Sequence, residues 1–205
     1  MAYVPSFAGV ILAAGRSSRM GQEKALLPWR GRTMLASIIS ALSSECDLVL
    51  VVTGENTEAL TPTIYASGAY VAVNETPDNG QLSSLQTGLR AVLDKGRDAA
   101  LVTLVDCPPG DPSTILTIRL RLLEVLDQGK WAVVPEYNGQ HGHPMAISRE
   151  MIEAFLRAPV TSTARDTQNI HQQRIEYVPV NDPKIILNIN TPEQYQALEK
   201  GVRSE

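Results

Sequence analysis

Cysteine is scarce. The 205 residues hold two, Cys46 and Cys107, far apart and in no Cys-x-x-Cys pair. A disulfide framework is thereby excluded, and reduced thiols in a cytoplasmic protein are expected. Histidine is nearly as rare: His141 and His143 have no cysteine or third histidine close by, and His171 is remote, which falls short of a structural zinc pattern. No apolar run approaches the roughly 20 residues of a membrane span. Met1 to Ser6 lacks a basic segment followed by a long apolar one, so no signal peptide is expected. Positive charge is not in excess either. The formal net charge is −4, which gives a nucleic-acid partner no global electrostatic support. There is no internal repeat, low-complexity tract or linker. With 43% hydrophobic and 20% charged residues, one soluble domain over residues 1–205 is the expectation.

What is present is a regular alternation of apolar runs and amphipathic stretches. Gly9 to Ala14 reads as a strand buried on both faces. A helix is predicted from the cap at Thr33 to about Ser43, a strand over Leu48–Thr53, and a helix over Thr57–Ala66 interrupted by Pro62. A short strand over Tyr70–Val73, a turn-rich loop to Gly80, a helix over Leu82–Leu93 and a strand over Ala99–Val105 follow. Pro112 to Gln128 is predicted helical, capped by Asp111 or Ser113. Trp131–Pro135 is a strand, Tyr137–Gln140 a reversal, and Pro144–Ile147 the returning strand. A helix over Arg149–Leu156, strands over Arg174–Val180 and Lys184–Ile189, and a last helix opened by Thr191-Pro192 complete the chain. The pattern predicts an α/β fold: a Rossmann-like three-layer sandwich, its mostly parallel sheet carrying one antiparallel strand and helices on both faces. Gly15, Asp106, Asn188 and Asn190 then meet where loops leave the carboxyl ends of strands.

The chemistry concentrates in the loop after the first strand. Gly15 and Gly21 bracket Arg16, Ser17, Ser18, Arg19 and Met20, and Lys24 follows. Glycine brackets let the backbone approach a ligand closely, and successive N–H groups with fixed cations make a phosphate cradle. The P-loop spacing fails because Gly21 is followed by Gln22, and the dinucleotide fingerprint breaks at Ser17. Asp106, at the tip of an apolar strand, is a hard oxygen ligand for Mg²⁺. A turn or capping carboxylate is the alternative. Asn190 is either a neutral metal ligand or a helix N-cap beside Thr191. Gly80, Ser83 and Ser84 place a flexible loop and hydroxyls at a helix start, where they read a nucleotide or simply cap. The Ala14 methyl narrows a base pocket relative to glycine, which favours a pyrimidine. Cys107 is expected to pack. Thr161 to Asp166 is expected to be a solvated loop, with an acceptor-binding lid as the alternative.

The stretch Leu12, Ala13, Ala14, Gly15, Ser17, Arg19, Met20, Gly21 and Lys24 resembles the signature of the MobA-like NTP transferases, the nucleotidyltransferases that attach a nucleotide to molybdopterin. They are related to the sugar-nucleotide pyrophosphorylases, so the resemblance implies a nucleotide-diphospho-sugar transferase-like fold. It extends to Val105-Asp106-Cys107-Pro108 as an Asp-x-Pro metal site, to Gly80–Ser84 facing the nucleotide, and to Gly142-His143-Pro144 near the acceptor. For His143 a satisfied surface histidine is the alternative; His141 is read as surface. The closing Asn188-Ile189-Asn190-Thr191-Pro192 matches the guanylyl-transferring branch, whereas Leu12-Ala13-Ala14-Gly15 matches cytidylyl transfer. The second, nearer the base, points to CTP.

The resemblance therefore implies a magnesium- or manganese-dependent transfer of CMP from CTP to the phosphate of molybdenum-carrying molybdopterin. Arg19, Lys24 and the loop N–H groups would hold the triphosphate, and Asp106 with Asn190 the metal. A molybdoenzyme or its chaperone is the implied protein partner. A sugar-1-phosphate nucleotidyltransferase, a guanylyl-transferring relative, and a non-catalytic nucleotide-binding regulatory module are the other readings.

Overall fold

The computed structural model describes residues 5–15 and 20–202, with backbone alone at 199–202. At its centre lies β1 (Phe7–Leu12), buried along its length. Phe7 and Ile11 belong to one hydrophobic cluster and Ala8, Val10 and Leu12 to another, the two-residue alternation of a strand covered on both sides. A small hairpin, β2 (Pro28–Trp29) and β3 (Arg32–Thr33), follows. It leads into α1 (Met34–Ser43), whose first turn is capped by the Thr33 hydroxyl accepting from the Ala36 N–H at 3.1 Å. Then come β4 (Leu48–Thr53), α2 (Thr57–Ala66), β5 (Tyr70–Val73), α3 (Gln81–Asp94) and β6 (Ala99–Leu104). The second half adds α4 (Pro112–Val125), β7 (Ala132–Tyr137), β8 (Gln140–His141), β9 (Met145–Ser148), α5 (Arg149–Arg157), α6 (Ala164–Ile170), β10 (Ile175–Pro179) and α7 (Pro192–Val202).

The main sheet runs β10-β7-β9-β6-β1-β4-β5, with β8 paired to β7. β1 lies parallel between β4 and β6, while β9 is antiparallel to both its neighbours. Ile38, Ile39, Ile118 and Leu122 of α1 and α4 seal one face; Leu85 and Leu89 of α3 with Ile152 and Phe155 of α5 seal the other. The three-layer α/β architecture expected from the alternation is the one observed.

Four local expectations need correction. Lys184–Ile189 is not a strand. Pro183–Ile186 forms a 3-10 turn, because Asp182 caps it, accepting from the Lys184 N–H at 3.1 Å, and Pro183 takes its first position. The apolar residues that suggested a strand, Ile185 and Ile189, are buried by tertiary packing. The returning strand is split: β8 closes a two-residue turn at Asn138 and Gly139, both with positive φ, and β9 then inserts between β7 and β6. Pro62 does not interrupt α2. It lacks only the N–H that would bond the Glu58 carbonyl, and both residues are exposed to solvent. Finally, the Thr161–Asp166 stretch is not simply a solvated loop: it runs into α6, started by a reciprocal capping box between Thr163 and Asp166. Those bonds to Thr163 hold the exposed Asp166 carboxyl below its ordinary range.

Both cysteines are free thiols. Burial is the largest cause that pushes each thiol from its ordinary value near 9 up to about 12. A raised folded-state value stabilises the fold fully below pH 9 and is lost as pH rises from 9 towards 12, where the unfolded chain releases protons that the folded chain keeps. Neither thiol should therefore react with a disulfide reagent at pH 8 until the protein unfolds, and the melting temperature should fall above pH 9. Prompt labelling of native protein would contradict this.

Candidate active site

Loops leaving β1, β4, β5 and β6 converge beyond the carboxyl edge of the sheet, the place where open α/β sheets bind ligands. Backbone bonds continue the ladder past the strand ends: Ala13 N–H donates to the Val52 carbonyl at 2.8 Å, Val105 N–H to Leu12 at 3.0 Å, and Asn74 N–H to Thr53 at 2.8 Å. The loops thus leave the sheet already held against one another. Beside them lies a cleft of about 270 Å³, lined by Leu12, Ala14, Gly15, Lys24, Gly80, Ser84 and Asp106 among others.

The first loop is clamped from β4. Asn56 donates to the Ala13 carbonyl at 2.8 Å and to the Glu23 carboxylate at 3.1 Å, while its own carbonyl accepts from the Gly54 N–H. Gly54 packs closely here: a Cβ on it would lie 3.2 Å from the Ala14 carbonyl, a tight contact that would press on the first loop. Gly21 sits at φ +66, in the left-handed region that favours glycine, and Met20 is buried in the core. Arg16, Ser17, Ser18 and Arg19 lie outside the described residues.

Lys24 opens a helical turn, Lys24–Leu26, anchored by the fully buried Ala25. Its ammonium donates to the Asn190 side-chain oxygen at 2.9 Å and lies 3.6 Å from the Asp106 carboxylate. The closing segment is docked by its backbone, with Ile189 N–H donating to the Asp106 carbonyl at 2.8 Å. Asn190 does not cap α7. That task falls to Thr191, whose hydroxyl accepts from Gln194 N–H while the Gln194 side chain returns to the Asn190 and Thr191 N–H groups. Asn188 instead accepts from the Cys107 thiol at 3.2 Å, so Cys107 packs under the site. Asp106 likewise caps nothing; the N-cap position of α4 belongs to Asp111, whose carboxylate pairs with Lys184 rather than with the helix.

The two serines of α3 part company. Ser84 lines the cleft, whereas the Ser83 hydroxyl lies 2.8 Å from the Gly80 carbonyl and 3.2 Å from that of Thr76, beside a neighbouring groove. Asn74 holds both, donating to Ser83 at 2.9 Å and Ser84 at 3.0 Å. His143 is half-buried, not a surface side chain. Burial pushes its pKa down, against the Val102 carbonyl near Nδ1 and the charge of Asp106, so the ring is neutral near pH 7. Pro144 is buried next to it.

A model of the MobA-like NTP transferase domain matches residues 9–176, most of the chain. The chain belongs to that family. This MobA-like chain is 29% identical over 188 residues to the molybdenum cofactor cytidylyltransferase of Escherichia coli (strain K12), covering 91% of this chain and 92% of the relative. It is 28% identical to the molybdenum cofactor guanylyltransferase of Shewanella frigidimarina, covering 95% and 96%. Among solved structures, Rv0371c of Mycobacterium tuberculosis H37Rv in complex with manganese superposes with a TM-score of 0.73 at 25% identity, covering 95% and 98%. The MobA-like domain is a nucleotidyltransferase, and no helix among its described residues is long and apolar enough to cross a membrane.

Sequence reasoning missed the side chains that support the site. Asn56 and Asn74 each stand just past a strand and bind two or more loop atoms; an amide at a strand tip was the available signal. Asp182, 1% exposed, accepts from the Asp111 N–H at 2.6 Å and so ties the loop after Asp106 to the turn before Asn188. Nothing in the local sequence pairs residues so distant.

Proposed function

We propose that this nucleotidyltransferase transfers CMP from CTP to the phosphate of molybdenum-carrying molybdopterin and releases pyrophosphate. The observation that carries the reading is the convergence of Asp106 and Asn190 on the Lys24 ammonium, beside a cleft that Gly15, Lys24 and Asp106 line. Two oxygens of different side chains meet on one ammonium ion, so the donor set already accommodates a cation. A carboxylate and an amide carbonyl are hard oxygen ligands suited to Mg²⁺ or Mn²⁺. Asp106 and Asn190 would hold that ion, which when bound neutralises charge on the reacting phosphates.

The remaining chemistry falls to this chain's residues. Arg16, Arg19, Lys24, and the backbone and hydroxyls from Gly15 to Gly21 grip the triphosphate. Gly80 and Ser84 border the nucleoside, and His143 with Pro144 flanks the acceptor. An acceptor phosphate oxygen attacks the α-phosphorus in line; the new P–O bond forms as the bond to the β-phosphate oxygen breaks. The phosphate monoester is already anionic, so no protein nucleophile is needed, and positioning with charge neutralisation carries the rate. Support for cytidylyl transfer comes from the Ala14 methyl in the cleft and the 29% identity to a cytidylyltransferase. Support for GTP comes from the neutral Asn188-Ile189-Asn190 segment and the guanylyltransferase relatives.

Pyrophosphate release tests the choice. The protein is mixed with Mg²⁺ or Mn²⁺, each nucleoside triphosphate, and molybdopterin or a sugar 1-phosphate. Release should require molybdopterin and be fastest with CTP. Faster turnover with GTP would reassign the donor, turnover with a phosphosugar would reassign the acceptor, and no release in any mixture would favour a regulatory module.

A further inference from the structure

The ammonium of Lys24 stands where a metal ion held by Asp106 and Asn190 would have to stand. It is 2.9 Å from the Asn190 oxygen and 3.6 Å from a carboxylate oxygen of Asp106, and Lys24 and Asp106 both line the cleft. A Mg²⁺ ion ligated by oxygen sits about 2.1 Å from each donor. The two cations cannot share those oxygens: they would repel at a few ångströms in a partly buried pocket where screening is weak. The Lys24 side chain is 12% exposed and that of Asp106 24%. Nor can the main chain carry Lys24 aside. Ala25 and Leu27 are buried, the Leu27 N–H donates to the Lys24 carbonyl at 3.2 Å, and the Leu27 carbonyl accepts from Met34 N–H at 2.8 Å. Only rotation about the side-chain bonds can vacate the seat.

We infer that Lys24 serves as the resident cation of the nucleotide-free site, so that a divalent metal and a nucleoside triphosphate bind as a coupled pair. The triphosphate offers the ammonium a more highly charged partner. Drawn to the phosphates, Lys24 releases Asp106 and Asn190 to the metal. By linkage, each ligand then strengthens the other's binding by the same factor. The device keeps the site from taking up a metal without substrate, while Asn190 stays docked beside Asp106. This inference rests on the proposed metal site.

The test reads Mn²⁺ binding without nucleotide, from the spectrum of free Mn²⁺, in the full chain. Wild type should bind Mn²⁺ weakly. Lys24→Met, close in length but uncharged, should bind it about tenfold more tightly, within the range usual for coupled sites. Lys24→Arg, which keeps the charge, should stay near wild type. Adding Asp106→Asn to Lys24→Met should abolish the gain. If Lys24→Met, folded by its melting curve, binds no more tightly than wild type while Asp106→Asn weakens Mn²⁺ binding, the resident-cation inference fails and the metal site stands. If the gain survives Asp106→Asn, the ion lies elsewhere and the proposed site itself fails.

Discussion

Asp106→Ala is expected to lower nucleotidyl transfer by about a hundredfold to a thousandfold, the usual cost of removing one group that stabilises developing charge. The fold should survive, because the structural bonds of this residue come from its main chain. Its carbonyl accepts from Ile189, and Val105 before it is tied to Leu12. Among the described residues the side chain pairs with Lys24 at 3.6 Å, and partly exposed pairs of that kind contribute about 1 kcal/mol or less. The signature of a charge-holding role is a large fall in kcat with a small shift in melting temperature. Full turnover in the variant would remove Asp106 from the mechanism, whereas a collapse of the melting curve would make it a structural residue.

Gly142→Ala should do the opposite, damaging the fold first and the site through it. A Cβ at Gly142 would collide with the Ile185 main-chain carbonyl and come within 2.8 Å of its Cβ. Next to it, His143 N–H donates to that same carbonyl at 2.9 Å, so the two backbones are in contact. Main chain cannot rotate away as a side chain would. The Pro183–Ile186 turn must shift, and it leads directly to Asn188 and Asn190. Overpacking of this sort costs about 1–3 kcal/mol. For a chain of this length each kcal/mol lowers the melting temperature by about 2–4 °C. Activity should fall with it, because Asn190 is displaced from Lys24 and Asp106. An unchanged melting temperature would show that the crossing gives way more easily than the geometry implies.

These two residues also mark how far the chain could be read without its fold. Asp106 was legible because an apolar strand that ends in a carboxylate must expose that carboxylate at the sheet edge, whatever surrounds it. Gly142 was legible only as part of a motif; its need for smallness comes from Ile185, which lies beside it only through the packing of distant segments. The error at Lys184–Ile189 has the same origin. An apolar run there does mean burial, but Asp182 accepts from both Lys184 and Asp111, and that pair of bonds favours a turn over a strand.

By itself the sequence determined the alternation of strands and helices from β1 to β7, the glycine-bracketed loop after β1 and the presence of Asp106 at a strand end. Each follows from local causes: side-chain periodicity, backbone freedom and capping. Only the tertiary structure decided that β9 inserts between β7 and β6, that Ser84 rather than Ser83 meets the cleft, and that Lys24 reaches across to Asn190. Those outcomes depend on which surfaces bury one another, and burial is a property of the whole chain.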